Sequence, residues 1–235
     1  MQEVIEGYYA ALKSKKYFKG IEGKGICALT IVPEVSSIKL DLSKLPNNYL
    51  ILFQPIYCSG WDSEITGRSR FAFGRLPRGY FGTGDTDRAP YAVTEVTELG
   101  EVKAFNSSLL ENRYGEPEVL KHCVGYGPSV ANGREIIISF HRYLNSLREV
   151  GVSGPFFIRT AMLNVQGYIM ATDPLRGPLG GRVFQGEDIR PELQHLTDDT
   201  HFATKQDVAK ELRPMFDYIW MEFGFERSFN YSERG

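Results

Sequence analysis

The residues best suited to chemistry lie in a few short stretches. Glu101-x-Lys103, read with Asp85 or Asp87, places carboxylates and a lysine as a metal-dependent nuclease would need them. The carboxylates would hold a divalent ion and the lysine would steady the attacked phosphate. The same spacing arises on any solvent-facing strand, and a solvated face is the expectation here. Arg68, Arg70, Arg75 and Arg78 interleave with Phe71, Phe73, Tyr80 and Phe81. Aromatics with flanking arginines can stack bases and hold phosphates, making this the first candidate nucleic-acid surface. In the plainer reading, Phe71 and Phe73 face a core and the arginines are solvated. Lys13, Lys15 and Lys16 form the second basic candidate, although cations also suit the end of a helix.

Other stretches are weaker. "LPRGYFGTGD" (76–85) matches neither G-x-x-x-x-G-K-[ST] nor G-x-G-x-x-G, and it is expected to be a turn. "QHLTDDTH" gathers His195, Asp198, Asp199 and His201 without the H-x-x-x-H step of helix-borne ligands, and reads as a polar linker. His122 beside Cys123, with Ser129 nearby, lacks an ordering acid. His141 falls at the rim of an apolar helix face. The expectation is therefore no catalytic residue, no metal ligand and no cofactor.

These residues must be positioned by elements legible in hydrophobic periodicity. Val4, Ile5, Tyr8, Tyr9 and Leu12 mark a first helix. It has no good cap, so it is expected to continue from, or pack on, something upstream. "GICALTIV" reads as a strand buried on both faces, and "IKLDL" alternates Ile38, Leu40 and Leu42 inward. "YLILFQPI", "RFAF" and "YAVTEVTE" follow as strands, and Leu99-Gly100 turns the last of them into "EVKAF" as a hairpin. Asn132 and Glu135 suggest a capping box opening a helix with Ile136, Phe140, Tyr143, Leu144 and Leu147 inward, stopped by Gly151. Pro155 to Met170 reads as one long central strand. Thr204 and Asp207 cap a last helix with Val208, Leu212, Met215, Phe216, Ile219 and Phe223 on one stripe. Pro214 lies inside it and Gly224 ends it. Close strand spacing favours antiparallel pairing. The expected fold is α+β, one domain over 1–235, with a largely antiparallel or mixed sheet and about three packed helices. A subdivision would fall between a strand-rich 1–128 and a helix-strand-helix 129–235.

Composition bounds the function. With 235 residues, 42% hydrophobic and 24% charged, the chain can bury a core without staples. A net charge of −2 and a pI near 6.1 exclude coating nucleic acid by bulk charge, while leaving room for a local basic patch. Cys27, Cys58 and Cys123 form no C-x-x-C pair and read as reduced thiols. No signal peptide or membrane span is legible, so a cytoplasmic protein without membrane contact is expected.

The order of segments carries a resemblance. "LTIVP" and "LDLSKL" precede "SGWD", then "VTELGEVKAFNSSLLE", "HRYLNSLREVGVSGPFFIRTAMLNVQGY" and the closing "LRPMFDYIWMEFGFERSFNY". Together they resemble the region after the N-terminal domain in Schlafen/AlbA-type bacterial DNA-binding proteins, also described as AlbA-like or ATP-binding. The resemblance covers nearly the whole chain, on apolar, aromatic and glycine positions. It implies the fold and an association with nucleic-acid machinery. It carries over no catalytic residue, because binding or cleavage in the family is attributed to an N-terminal domain not found in this chain. The partners it implies are nucleic acid, an upstream AlbA-like domain or partner protein, or a second copy. The expected function is thus a non-catalytic accessory module supporting nucleic-acid engagement or assembly. The alternatives are a metal-dependent nuclease-like domain on the hairpin carboxylates, and a protein-interaction subunit docking through its first helix.

Overall fold

The computed structural model describes residues 1–14, 25–35, 39–41, 53, 55–56, 78–83, 92–107, 110, 123–124, 129–170, 181–197 and 204–229, with backbone alone for 78–83, 123–124 and 129–132. In chain order the elements are α1 (Gln2–Lys13), β1 (Ile26–Pro33), β2 (Arg78–Thr83), β3 (Ala92–Thr97), β4 (Val102–Asn106), β5 (Cys123–Val124), α2 (Ser129–Glu149), β6 (Phe156–Leu163), β7 (Ile169–Met170), β8 (Gln194–Leu196) and α3 (Lys205–Glu222). Among the described residues six strands form one sheet in the order β2-β3-β4-β1-β6-β8, each neighbour antiparallel. β5 and β7 form a separate parallel pair. The fold is α+β, with three helices among the described residues.

β1 explains the layering. All eight of its residues are buried, so both faces of the sheet centre need cover. Cys27, Leu29 and Ile31 meet α2 through Ile136, Phe140, Tyr143, Leu144 and Leu147, and α3 through Val208, Leu212, Met215, Phe216, Ile219 and Trp220. Ile26, Ala28 and Val32 on the other face meet α1 through Ile5, Tyr8, Tyr9 and Leu12. Alternation along the strand makes this division, and period 3.6 on the helices answers it.

The helix termini follow their local chemistry. Thr204 caps α3 through a reciprocal box with Asp207. Gly224 closes it at φ +87, and Pro214 lies within it. Gly151 follows α2 at φ +88. The β3–β4 turn requires Gly100, whose φ is +78 and whose added Cβ would come 2.9 Å from Val152 Cγ1.

Several expectations need correction. "LPRGYFGTGD" is not simply a turn, since Arg78–Thr83 is a strand pairing residue by residue with β3. The Pro155–Met170 stretch is not one strand: β6 ends at Leu163, and Asn164 (φ 56) and Gly167 (φ 81) turn the chain towards β7. α2 begins at Ser129, three residues before the proposed Asn132 cap. Val4 is exposed, leaving α1 a narrower stripe. His195 belongs to β8 rather than to a linker. Leu40 is buried between outward Lys39 and Asp41 as expected, but the described residues 39–41 are not in a strand, and the Leu40 N–H donates to the Glu98 carbonyl at 2.7 Å. Cys27 is buried. "RFAF", five of the eight residues of "YLILFQPI" and Cys58 lie outside the described residues.

Candidate functional site

Strand register assembles a polar row on the α1 side of the sheet. Glu95 of β3 pairs with Lys103 of β4, Lys103 with Thr30 of β1, and Thr30 with Arg159 of β6. Directly opposed residues share a face, so a carboxylate, an ammonium, a hydroxyl and a guanidinium stand side by side. All four are buried, Arg159 at 4% exposure and Glu95 at 2%. Charges so placed need partners, because desolvation favours neither one alone.

α1 supplies partners at the Arg159 end. Arg159 Nη1 donates to Glu6 Oε1 at 2.5 Å, and Nη2 donates to Gln2 at 3.4 Å. The Tyr9 hydroxyl lies 3.5 Å from Thr30 Oγ1, and the guanidinium carbons of Arg190 and Arg159 lie 5.6 and 6.0 Å from its ring centre. Burial pushes the Tyr9 phenol far above its usual range, so it stays neutral and serves as a hydrogen-bonding group. Arg190 bridges Glu6 and Asp188. Lys13 reaches Asp188 at 2.9 Å and Glu187 at 2.6 Å. Burial opposes the ionisation of Asp188, but the Asn164 N–H, Lys13 and Arg190 outweigh it and hold the carboxyl below the usual range. Burial likewise opposes the Lys13 charge and is outweighed by Glu187 and Asp188, which raise it.

At the other end, Lys103 Nζ is 2.7 Å from Glu101 Oε2. The expected solvated face is corrected here: Lys103 is buried and the Glu101 side chain largely so. The sequence pattern missed that register brings Glu95 opposite Lys103 as a second carboxylate. Chemically, the row can fix α1 to the sheet. At its Glu95–Lys103–Glu101 end it also has two carboxylates and a lysine, the groups that E-x-K phosphodiester chemistry requires.

The remaining candidates are dispersed. Arg78 opens β2, an end strand of the sheet among the described residues. Arg68, Arg70, Arg75, Lys15, Lys16, Asp85, Asp87, His122, Asp198, Asp199 and His201 lie outside the described residues. His195 Nε2 is 3.1 Å from Glu34 and its ring stacks on Phe157 at 4.5 Å. His141 is bonded to Asn145 one turn on. Among the described residues no group of three or more histidine, cysteine or acidic side chains can hold a metal, and no helix is long and apolar enough to cross a membrane.

No protein-family model, no curated protein and no solved structure matches the chain.

Proposed function

We propose that the chain is a non-catalytic accessory module of the Schlafen/AlbA-like kind that works in the cytoplasm, beside an AlbA-like domain or partner protein, and engages nucleic acid along β2. One observation carries the reading. β2, which begins at Arg78 and carries Tyr80 and Phe81 of the arginine–aromatic stretch, is an end strand of the sheet among the described residues and pairs there only with β3. An end strand can approach an extended polymer that a central strand cannot. Lys13 contributes less, because Glu187 and Asp188 already neutralise it.

Labelled single-stranded DNA and RNA, titrated with the protein at stepped salt, test this reading. Four arginines at about 0.7 counterions each set a log–log slope no steeper than roughly 3. Alanine at Arg75 and Arg78 should lower that slope by about 1.4 while the melting curve stays put. Binding that is absent, or indifferent to salt, overturns the reading. The pairing of Glu101 with Lys103 beside Glu95 favours a second one, metal-dependent cleavage. Mg²⁺- or Mn²⁺-dependent turnover abolished by Glu101→Gln would establish it instead.

A further inference from the structure

A small cavity of about 260 Å³ lies between α3 and the segment leading into β8, at the opposite end of the sheet from β2. Leu193, Pro191, Pro214 and Met215 give it apolar walls, and Glu192, Gln194 and Tyr218 supply its polar groups. Tyr218 is 39% exposed although it is aromatic. Glu222 lies one turn on from Tyr218 and Glu192 forms part of the cavity wall, and after burial the negative charge of both raises the Tyr218 phenol. The Gln194 side-chain carbonyl is buried without a hydrogen-bond partner among the described residues.

This set of groups selects a ligand. The Glu192 carboxylate and the Gln194 amide carbonyl accept hydrogen bonds and attract positive charge, and Glu222 beside Tyr218 adds a second negative charge at the rim. The face of an exposed tyrosine also attracts a cation, whereas the apolar walls suit a hydrocarbon stem. The neighbouring guanidiniums are engaged elsewhere, Arg182 with the carbonyls of Met221 and Glu222 and Arg213 with Asp217. Lys210 lies eight residues before Tyr218, about 12 Å along the helix axis at 1.5 Å per residue. The volume falls below the roughly 300–1,000 Å³ of drug-sized sites, which suits one side chain rather than a cofactor. We propose that this pocket binds an organic cation, a guanidinium or primary ammonium on a short apolar stem, as found in arginine and lysine.

Amide-detected NMR titration of the full chain tests the site. The probes are n-butylguanidinium, n-butylammonium, the neutral isostere n-butylurea, and an N-acetylated, C-amidated Ala-Arg-Ala peptide. Both cations should shift Leu193, Gln194, Met215 and Tyr218 saturably, and butylurea should not. Glu192→Gln with Glu222→Gln should weaken the cations several-fold, and Tyr218→Leu should weaken them about two- to fivefold. The carboxylate variants keep the test sound if the tyrosine variant folds poorly. Tighter binding of the peptide than of butylguanidinium supports the site and assigns it to a partner polypeptide. Equal binding supports it for free cations. Butylurea matching the cations, affinity unchanged in the double glutamine variant, or no saturable shift would each overturn the proposal.

Discussion

Arg159, from the middle of β6, donates to Glu6 on α1 at 2.5 Å, joining residues 153 positions apart. The bond fastens the first helix to the sheet through charge as well as through the apolar contacts of Ile5, Tyr8, Tyr9 and Leu12. Arg159 is almost wholly buried, whereas the Glu6 side chain is 32% exposed, so the two partners differ in what their loss leaves behind. Glu6→Ala strands a buried guanidinium and should cost about 1–3 kcal/mol. Arg159→Met removes the buried charge and leaves Glu6 to Arg190, so it should cost less. Urea melts of both single variants and the double give the coupling, which should exceed about 0.5 kcal/mol. A coupling near zero would show that the apolar stripe alone holds α1.

Asp188 predicts a response to acid. Its carboxyl is held below its ordinary value near 3.8, with burial outweighed by the Asn164 N–H, Lys13 and Arg190. A depressed carboxyl contributes stability that is present above the unfolded value and lost as pH falls through the folded one. Melting temperature should therefore drop as pH falls below about 4–5, and Asp188→Asn should be less stable at neutral pH yet less sensitive to that fall. Parallel pH–melt curves for wild type and variant would refute the assignment.

The α2–α3 side of the core should answer to cavities. Leu144 and Phe216 are buried in one cluster with Leu29 and Ile31 of β1. Each change to alanine should cost about 2–5 kcal/mol. Thr204→Ala should cost about 1 kcal/mol through loss of the capping box alone. Denaturant melts placing both core variants below half a kilocalorie, within the range of surface changes, would exclude this packing.

Much of this was legible because periodicity reports burial. The stripes of α2 and α3, the doubly buried β1 and the β3–β4 hairpin all follow from apolar spacing and from Gly100, Gly151 and Gly224. The end of β6 is hidden in the sequence because Val165 and Met170 are buried beyond it, so apolarity continues through the Asn164–Gly167 turn. β2 is hidden in the sequence because glycines 79 and 82 suggest a turn, while pairing with β3 keeps the segment extended. The polar row was legible only in part. Arg159 interrupts the apolar run "FFIRTAML" and Glu95 sits inside "AVTEVT", but their alignment depends on strand order and register, which local spacing does not encode.

Lys103 gives the test that separates a structural row from a solvated strand face. It is buried, bonded to Glu101 at 2.7 Å and opposed to Glu95. Lys103→Met preserves the stem but leaves the Glu101 carboxylate without its cation and puts a neutral side chain opposite buried Glu95. It should cost about 1–3 kcal/mol, more than Glu101→Gln, which leaves Lys103 opposite Glu95. Adding Glu95→Gln to Lys103→Met should recover part of the loss by removing the buried carboxylate that then faces a neutral side chain. On a solvated face all three substitutions would stay within about 0.5 kcal/mol. Guanidinium melts of wild type, the two single variants and the Glu95→Gln/Lys103→Met double therefore decide between the two environments. Equal and negligible effects would return Glu101 and Lys103 to the surface and remove the structural basis for a metal-dependent reading.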